Sequence, residues 1–321
     1  MKKPLLISVL FFLNLFIFFP AAFCQTEVPD TVKTGIYVTS IHDIDFKQQE
    51  YTISFWLWLR YKNKDFDFLK NLEIPHSKSF TTSFATIDTT DGVYILMKLQ
   101  CVMKDFWKIN DFPFDRQKLR LSLENSQFDS QSLVFAPDTL GRHYDRFFTL
   151  IGWKIDSFNM SVGKRVYETT FGDPSIEIPH TEYSSFKVTI GINRSAMGLF
   201  WKMFLGMYVA FLIAYVCFYI HADGIDSRFG LSVGALFAVI GNKYIVDSAL
   251  PESKTFTLVD TLHGITLFFI LAVISATAYS LKLAKQNKLK QANRFDMIAA
   301  QVLLLIYLAL NAYYIIVATS K

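Results

Sequence analysis

Asp260 and His263 stand one helical turn apart inside an apolar run and are this sequence's nearest approach to a catalytic pair. Such a pair could relay a proton, but no nucleophile or ligand cluster joins it, so no enzyme and no catalytic residues are expected. Metal chemistry has no better footing. The six His are scattered and no C-x-x-C or H-x-x-x-H occurs, so no metal site and no cofactor are expected. Of three Cys, Cys24 falls near the N-terminus and Cys217 in an apolar run. Cys101 is left alone in the polar half, without a disulfide partner.

Two other groupings hold more promise. Phe112-Pro113-Phe114-Asp115 is a Pro-containing turn that sets two aromatics beside one carboxylate, with Gln117 and the alternating Leu119, Leu121 and Leu123 after it. Aromatics at a loop tip favour an apolar or interfacial partner such as the ends of membrane helices, although an ordinary strand connection with buried Phe reads the same. Asp226, Arg228, Lys243 and Asp247 flank or interrupt an otherwise apolar run. Charge at membrane depth is costly, so that run is expected to line water or pack inside a bundle.

The elements that carry these residues follow from composition. Of 321 residues, 52% are hydrophobic and only 19% charged, against about a quarter charged in a typical soluble domain. That marks a membrane protein. A net charge of +4 with no basic run in the polar half excludes nucleic acid as a partner. Residues 1–24 combine Lys2 and Lys3, an apolar stretch and a small-residue end at Ala22 and Cys24, the layout of a cleaved signal peptide. An uncleaved anchor or a lipidated Cys24 are the other readings, and each exports the segment from Gln25 onward.

Residues 25–194 are polar on average and rich in short β-like runs: 36–38, 51–59, 93–99, 118–123, 153–162 and 185–192. Turn signals such as Asp91-Gly92 and Gly172-Asp173-Pro174 separate them, which predicts a two-sheet sandwich. Residues 195–321 carry four apolar runs, about 196–220, 229–250, 258–281 and 296–318. Each approaches the ~20 residues that a helix needs to cross ~30 Å of hydrocarbon. Lys282, Lys285, Lys288, Lys290 and Arg294 crowd the third connection with no acid among them. By the positive-inside rule that connection is cytoplasmic, leaving the β domain and the C-terminus outside. The leader demands the same orientation.

Phe112-Pro113-Phe114-Asp115 with Gln117 resembles the signature loop of the pentameric ligand-gated ion channels, or Cys-loop receptors, in their prokaryotic branch. Animal members flank that loop with two cysteines, whose matching positions here are Asp105 and Leu119. Gly35-Ile36-Tyr37 is similar to the family's first strand, Gly152-Trp153 to a later one, Arg194 to the arginine before the first span, and Leu250-Pro251 to the end of the second span. The resemblance runs through almost the whole chain after residue 24. It implies a homopentamer in the cell (inner) membrane. Each copy would have an all-β extracellular sandwich plus an α-helical four-span transmembrane domain, with the second helix around a central pore. It also implies an interdomain ion pair of Asp115 and Arg194, with Asp45 as a third member and Phe112, Pro113 and Phe114 on the coupling loop.

Helical spacing counted back from Pro251 puts Gly230, Gly234, Phe237, Gly241, Tyr244 and Ser248 on one face. If that face lines the pore, a ring of Phe237 would close it by dewetting. Gly230-x-x-x-Gly234 also reads as a packing motif between helices. Asp226 at the inner mouth would favour cations, unless it serves only the helix N-terminus. The resemblance places an agonist pocket between β domains, for which Trp58, Phe128, Tyr167 and Tyr183 are candidates, with core packing as the other role of each. The family's Trp-x-Asp reads Tyr61-Lys62-Asn63 here, a departure at that pocket. Protons are another stimulus, with Asp45, Glu50 and His263 titratable. The expected partners are thus identical copies, permeant ions, lipid, and a small extracellular ligand or protons. The competing reading is a non-conducting membrane receptor on the same scaffold.

Overall fold

The computed structural model of the chain describes residues 28–174, 178–222, 224–252 and 255–320. The expected leader at residues 1–24, Asp223 and Lys321 lie outside the described residues.

Among the described residues nine strands come first: β1 (Asp30–Asp45), β2 (Glu50–Tyr61), β3 (Leu72–Glu73), β4 (Ser77–Asp88), β5 (Val93–Lys104), β6 (Arg116–Asn125), β7 (Leu133–Pro137), β8 (Trp153–Tyr167) and β9 (Thr181–Arg194). They form two sheets, ordered β4-β5-β2-β1-β7 and β3-β6-β9-β8. Alternation drives the assembly. Tyr51, Ile53, Phe55, Leu57, Leu59 and Tyr61 of β2 point inward, as do Val93, Ile95, Met97, Leu99, Cys101 and Met103 of β5. They meet Leu119, Leu121 and Leu123 of β6 and Phe186, Val188, Ile190 and Ile192 of β9 in one apolar core. This is the expected β-sandwich. Cys101 and Cys217 are both buried free thiols.

Among the described residues four long helices come after the sandwich: α1 (Ala196–Val216), α2 (Ile225–Ser248), α3 (Leu258–Lys285) and α4 (Leu289–Thr319). All four are long and apolar enough to cross a membrane, and α2 is the least apolar. Thr257 and Asp260 start α3 with a reciprocal capping box, which satisfies two backbone amides that the first turn leaves open. Helix boundaries differ from the sequence expectation, α2 beginning at Ile225 and not at residue 229. The last helix begins at Leu289, because its polar first turns (Lys290, Gln291, Asn293, Arg294) lie outside the apolar run yet are helical. The third runs on to Lys285 for the same reason. The long edge strand β4 was not among the expected runs. It is solvated along its length and alternates Ser and Thr with Phe, so it lacks an apolar face.

Candidate functional site

The chain passes from sandwich to membrane helices at Arg194, the last residue of β9. Asp115 sits just before β6, and Arg116↔Asn193 is the first pair of the β6–β9 ladder, so register alone brings residues 115 and 194 together. Arg194 Nε donates to Asp115 Oδ1 at 2.7 Å and Nη2 donates to Oδ2 at 3.4 Å. Gln117 Nε2 adds a third bond to Oδ2 at 2.7 Å. Gln117 also exchanges hydrogen bonds with the backbone of Lys108, which fixes the loop beside the carboxylate. Three rings surround the guanidinium: Trp153 at 4.0 Å, Phe46 at 4.7 Å and Phe112 at 4.9 Å from their centroids. Cation–π attraction and a two-pronged carboxylate contact are both strongest out of water, and here they coincide.

The loop that carries Asp115 also touches the helices. Phe114 packs on Phe200 of α1 with ring centroids 5.5 Å apart. The Asn110 carbonyl accepts from the Leu258 amide at the start of α3, at 2.8 Å. Ile109 shares a cleft with Leu250 and Pro251 at the end of α2. One loop therefore contacts α1 and α3 and borders a cleft with the segment that follows α2. The Phe112–Pro113 peptide within it is cis. Asp105 and Leu119, which match the family's cysteines, hold the loop's base differently: Asp105 Oδ2 accepts from the Arg120 amide and Oδ1 from its guanidinium, both at 3.1 Å.

Asp45 does not join the ion pair. Its carboxylate accepts from the Gln48 amide at 2.7 Å within the β1–β2 turn, and among the described residues Arg194 pairs with Asp115 alone. A turn carboxylate with a backbone amide in reach is drawn to that nearer donor. Phe46, one residue on, supplies a ring to Arg194 instead.

On α2, Gly230, Gly234, Phe237, Gly241, Tyr244 and Ser248 are all exposed in the single chain. The opposite face, with Arg228, Ser232, Ala235, Val239 and Val246, is buried against the other helices. A Cβ built on Gly230, Gly234 or Gly241 would meet nothing within 4 Å, so no helix of the same chain packs there. Gly206 of α1 is the glycine that admits a neighbour, since a Cβ there would lie 3.3 Å from Asn242 Nδ2.

The two basic residues of α2, Arg228 and Lys243, turn away from the exposed face. Arg228 reaches Asp296 of α4 at 2.7 Å, and Lys243 reaches Asp247 at 2.6 Å and Asp260 at 2.7 Å. Asp226 is exposed in the first turn of α2, and no side-chain cap bond forms at that terminus. Asp260 and His263 are both engaged elsewhere: Asp260 by Lys243 and the cap, His263 by Val259 O at 2.8 Å and Asn242 Oδ1 at 2.9 Å.

The four aromatic candidates of the β domain do not form one site. Tyr167 and Tyr183 face each other at 5.7 Å across the β8–β9 ladder, with Phe171 of the connecting loop 5.4 Å from Tyr167. Trp58 donates to Asp138 at 3.0 Å and covers Gly35, while Phe128 lies edge-on to Phe66 at 4.7 Å. Phe171 and, of the rings around Arg194, Phe46 are not singled out by the sequence. Trp153 and Phe112 had been singled out, but nothing in the sequence joins them to Phe46.

Titration separates the acids. Lys104, then Lys78, hold the Glu50 carboxyl below the usual range by hydrogen bonding. Burial pushes the Asp105 and Glu124 carboxyls up, against partial compensation from their hydrogen bonds.

No family model matches the chain. It is similar to a protein named proton-gated ion channel from Gloeobacter violaceus (strain ATCC 29082 / PCC 7421). The two are 22% identical over 275 residues, which cover 78% of this chain and 73% of that one. A stretch of that length is longer than either half of the chain, so the likeness spans both strands and helices.

Proposed function

We propose that this chain assembles as a homopentameric ion channel of the cell membrane, with the exposed face of α2 around the pore. The β domain (25–194) lies outside, behind a cleaved leader at 1–24, and 195–321 form the membrane domain. The observation that carries this reading is the division of α2. Its glycine-rich face, with Phe237 67% and Tyr244 77% exposed, has no partner within the chain, while its ionic residues Arg228 and Lys243 pair inward. A helix facing lipid is expected to show large apolar side chains, and one facing identical neighbours and water can show glycine. The similarity to a proton-gated channel supports the class, and supports protons or a small extracellular ligand as the stimulus.

In this account five Phe237 rings form the closed constriction, and Asp226 at the cytoplasmic mouth favours cations. The coupling loop, with Asp115 on Arg194 and Phe114 on Phe200, passes movement of the sandwich to the helices. Tyr167 and Tyr183 are better placed for an aromatic ligand pocket than Trp58 or Phe128, because they share a cluster at the β8–β9 loop.

Recording from the purified chain in planar bilayers tests this directly. Phe237→Ala is expected to give leak current or easier opening. Asp226→Asn is expected to lower the cation/anion permeability ratio, read as a shifted reversal potential in asymmetric salt. Silence across pH steps and an amine screen would favour the non-conducting receptor.

A further inference from the structure

The sandwich has a cleft of about 620 Å³ beside the β3–β4 turn, bordered by Asp105 at the base of the coupling loop and adjoining Tyr167, whose ring lies under Arg165 and whose hydroxyl donates to Glu124. Its walls are cationic in excess: Lys104, Arg120, Arg165 and Lys187 line it against the carboxylates of Asp105 and Glu124. Two of those cations are already engaged, Lys104 by Glu50 at 2.9 Å and Arg120 by Asp105 at 3.1 Å. The other two have capacity to spare. Arg165 Nη1 stands 3.8 Å from Glu124 Oε1, beyond hydrogen-bond distance, and Lys187 forms no ion pair among the described residues.

The floor of the cleft is unusual. Glu124 is 1% exposed and Ser185 0%, and neither Glu124 Oε1 nor Ser185 Oγ has a hydrogen-bond partner among the described residues. Burying polar atoms without partners is costly, so such a pair marks a place where a partner is missing. The other Glu124 oxygen, Oε2, already accepts from Tyr167 at 2.9 Å. A proton on Glu124 therefore belongs on Oε1. Protonated Glu124, the Ser185 hydroxyl, Arg165 and Lys187 then present more donors to the cleft than acceptors. A metal cation would meet a positive wall, whereas a small group with several acceptor oxygens would satisfy every member.

We propose that this cleft binds a small oxyanion, a carboxylate or inorganic phosphate, held by Arg165, Lys187, Ser185 and protonated Glu124, and that it fills in acid and empties as pH rises. An ionised Glu124 would repel the ligand. Its surroundings keep it neutral further up the pH scale than an ordinary glutamate: burial dominates, and Glu73 of β3 acts in the same direction. Tyr167, Ser185 and Arg165 oppose that shift, and Lys187, His76, Asp105 and Arg120 complete the charged or titratable groups around the cleft. His76 lies 3.5 Å from Arg165 Nη2. The site concerns binding within one subunit, so it stands or falls separately from conduction.

The test is equilibrium titration of the purified full-length chain in lipid nanodiscs with sodium acetate and with phosphate, at pH 5 and pH 8 and constant ionic strength in chloride. Saturable binding of either anion is expected at pH 5, roughly ten-fold or more weaker at pH 8, and the anion that saturates assigns the class. Lys187→Gln should weaken binding at pH 5 by a similar factor and Lys187→Arg should restore it. Glu124→Gln, which supplies a permanent donor, should bind about equally at both pH values. No saturable binding at pH 5, or binding indifferent to Lys187→Gln, would overturn the site. A pH response that survives Glu124→Gln unchanged would overturn the part assigned to Glu124.

Discussion

Asp115–Arg194 and Arg228–Asp296 are both charge-assisted bonds of 2.7 Å that join residues far apart in sequence, and both lie almost out of solvent. Their surroundings differ. Around the first, each Asp115 oxygen has a donor and the guanidinium is enclosed by Trp153, Phe46 and Phe112. Around the second, Arg228 Nη1 and Asp296 Oδ1 have no partner among the described residues and border a cavity of about 290 Å³. Arg228 also donates to the Ile220 carbonyl through Nε and Nη2. A buried ion pair stabilises little by itself, because desolvation offsets most of the Coulombic gain. The completed pair at the sandwich–helix joint can therefore act as one rigid unit. The incomplete pair at the other end of α2 ties α2 to α4 with hydrogen-bonding capacity left over.

Removing one partner from the completed pair should show the largest effect. Arg194→Ala leaves Asp115 buried without its cation and is expected to cost about 3–5 kcal/mol, read as a lowered thermal midpoint and yield of the solubilised protein. Asp296→Ala should cost less, about 1.5–3 kcal/mol by the same measurement, since Arg228 keeps the Ile220 carbonyl. If it matches Arg194→Ala, the contrast between the two pairs fails. Smallest is the double change Arg228→Met with Asp296→Leu. Replacing both charges at an incompletely satisfied site should leave the midpoint unchanged or raise it. A fall as large as that of Asp296→Ala alone would show that the second pair is as well built as the first.

Much of this contrast could be read from the sequence on one side only. The pairing of Asp115 with Arg194 is an expectation that the family resemblance of Phe112-Pro113-Phe114-Asp115 and Arg194 implies. The rings enclosing them come from strands far apart in the chain, and no local pattern predicts that convergence. Asp45 shows the same limit: its type suited an ion pair, but the direction of a turn side chain is decided by the nearest amide. Strand β4 escaped because an exposed edge needs no apolar face. Asp296 gave no sign either, since an acid just inside an apolar run looks like a boundary residue until α4 is seen to begin earlier, at Leu289. The face of α2 rests on helical periodicity; its six residues are exposed in the single chain, as are Leu231, Val233, Ile240 and Ile245, and its lining of a pore is the proposal.

That face is where the account is most open to direct test. The described cysteines, Cys101 and Cys217, are buried, so background labelling by a water-soluble thiol reagent should be low. Single cysteines placed along α2 of the reconstituted channel, with reagent added during stimulation, report which positions meet water. Current should be blocked at Gly234→Cys, Phe237→Cys, Gly241→Cys and Tyr244→Cys, and unaffected at Ala235→Cys, Val239→Cys and Val246→Cys. Block with the opposite pattern, or labelling of position 237 only by a lipid-soluble reagent, would contradict a pore built on this face.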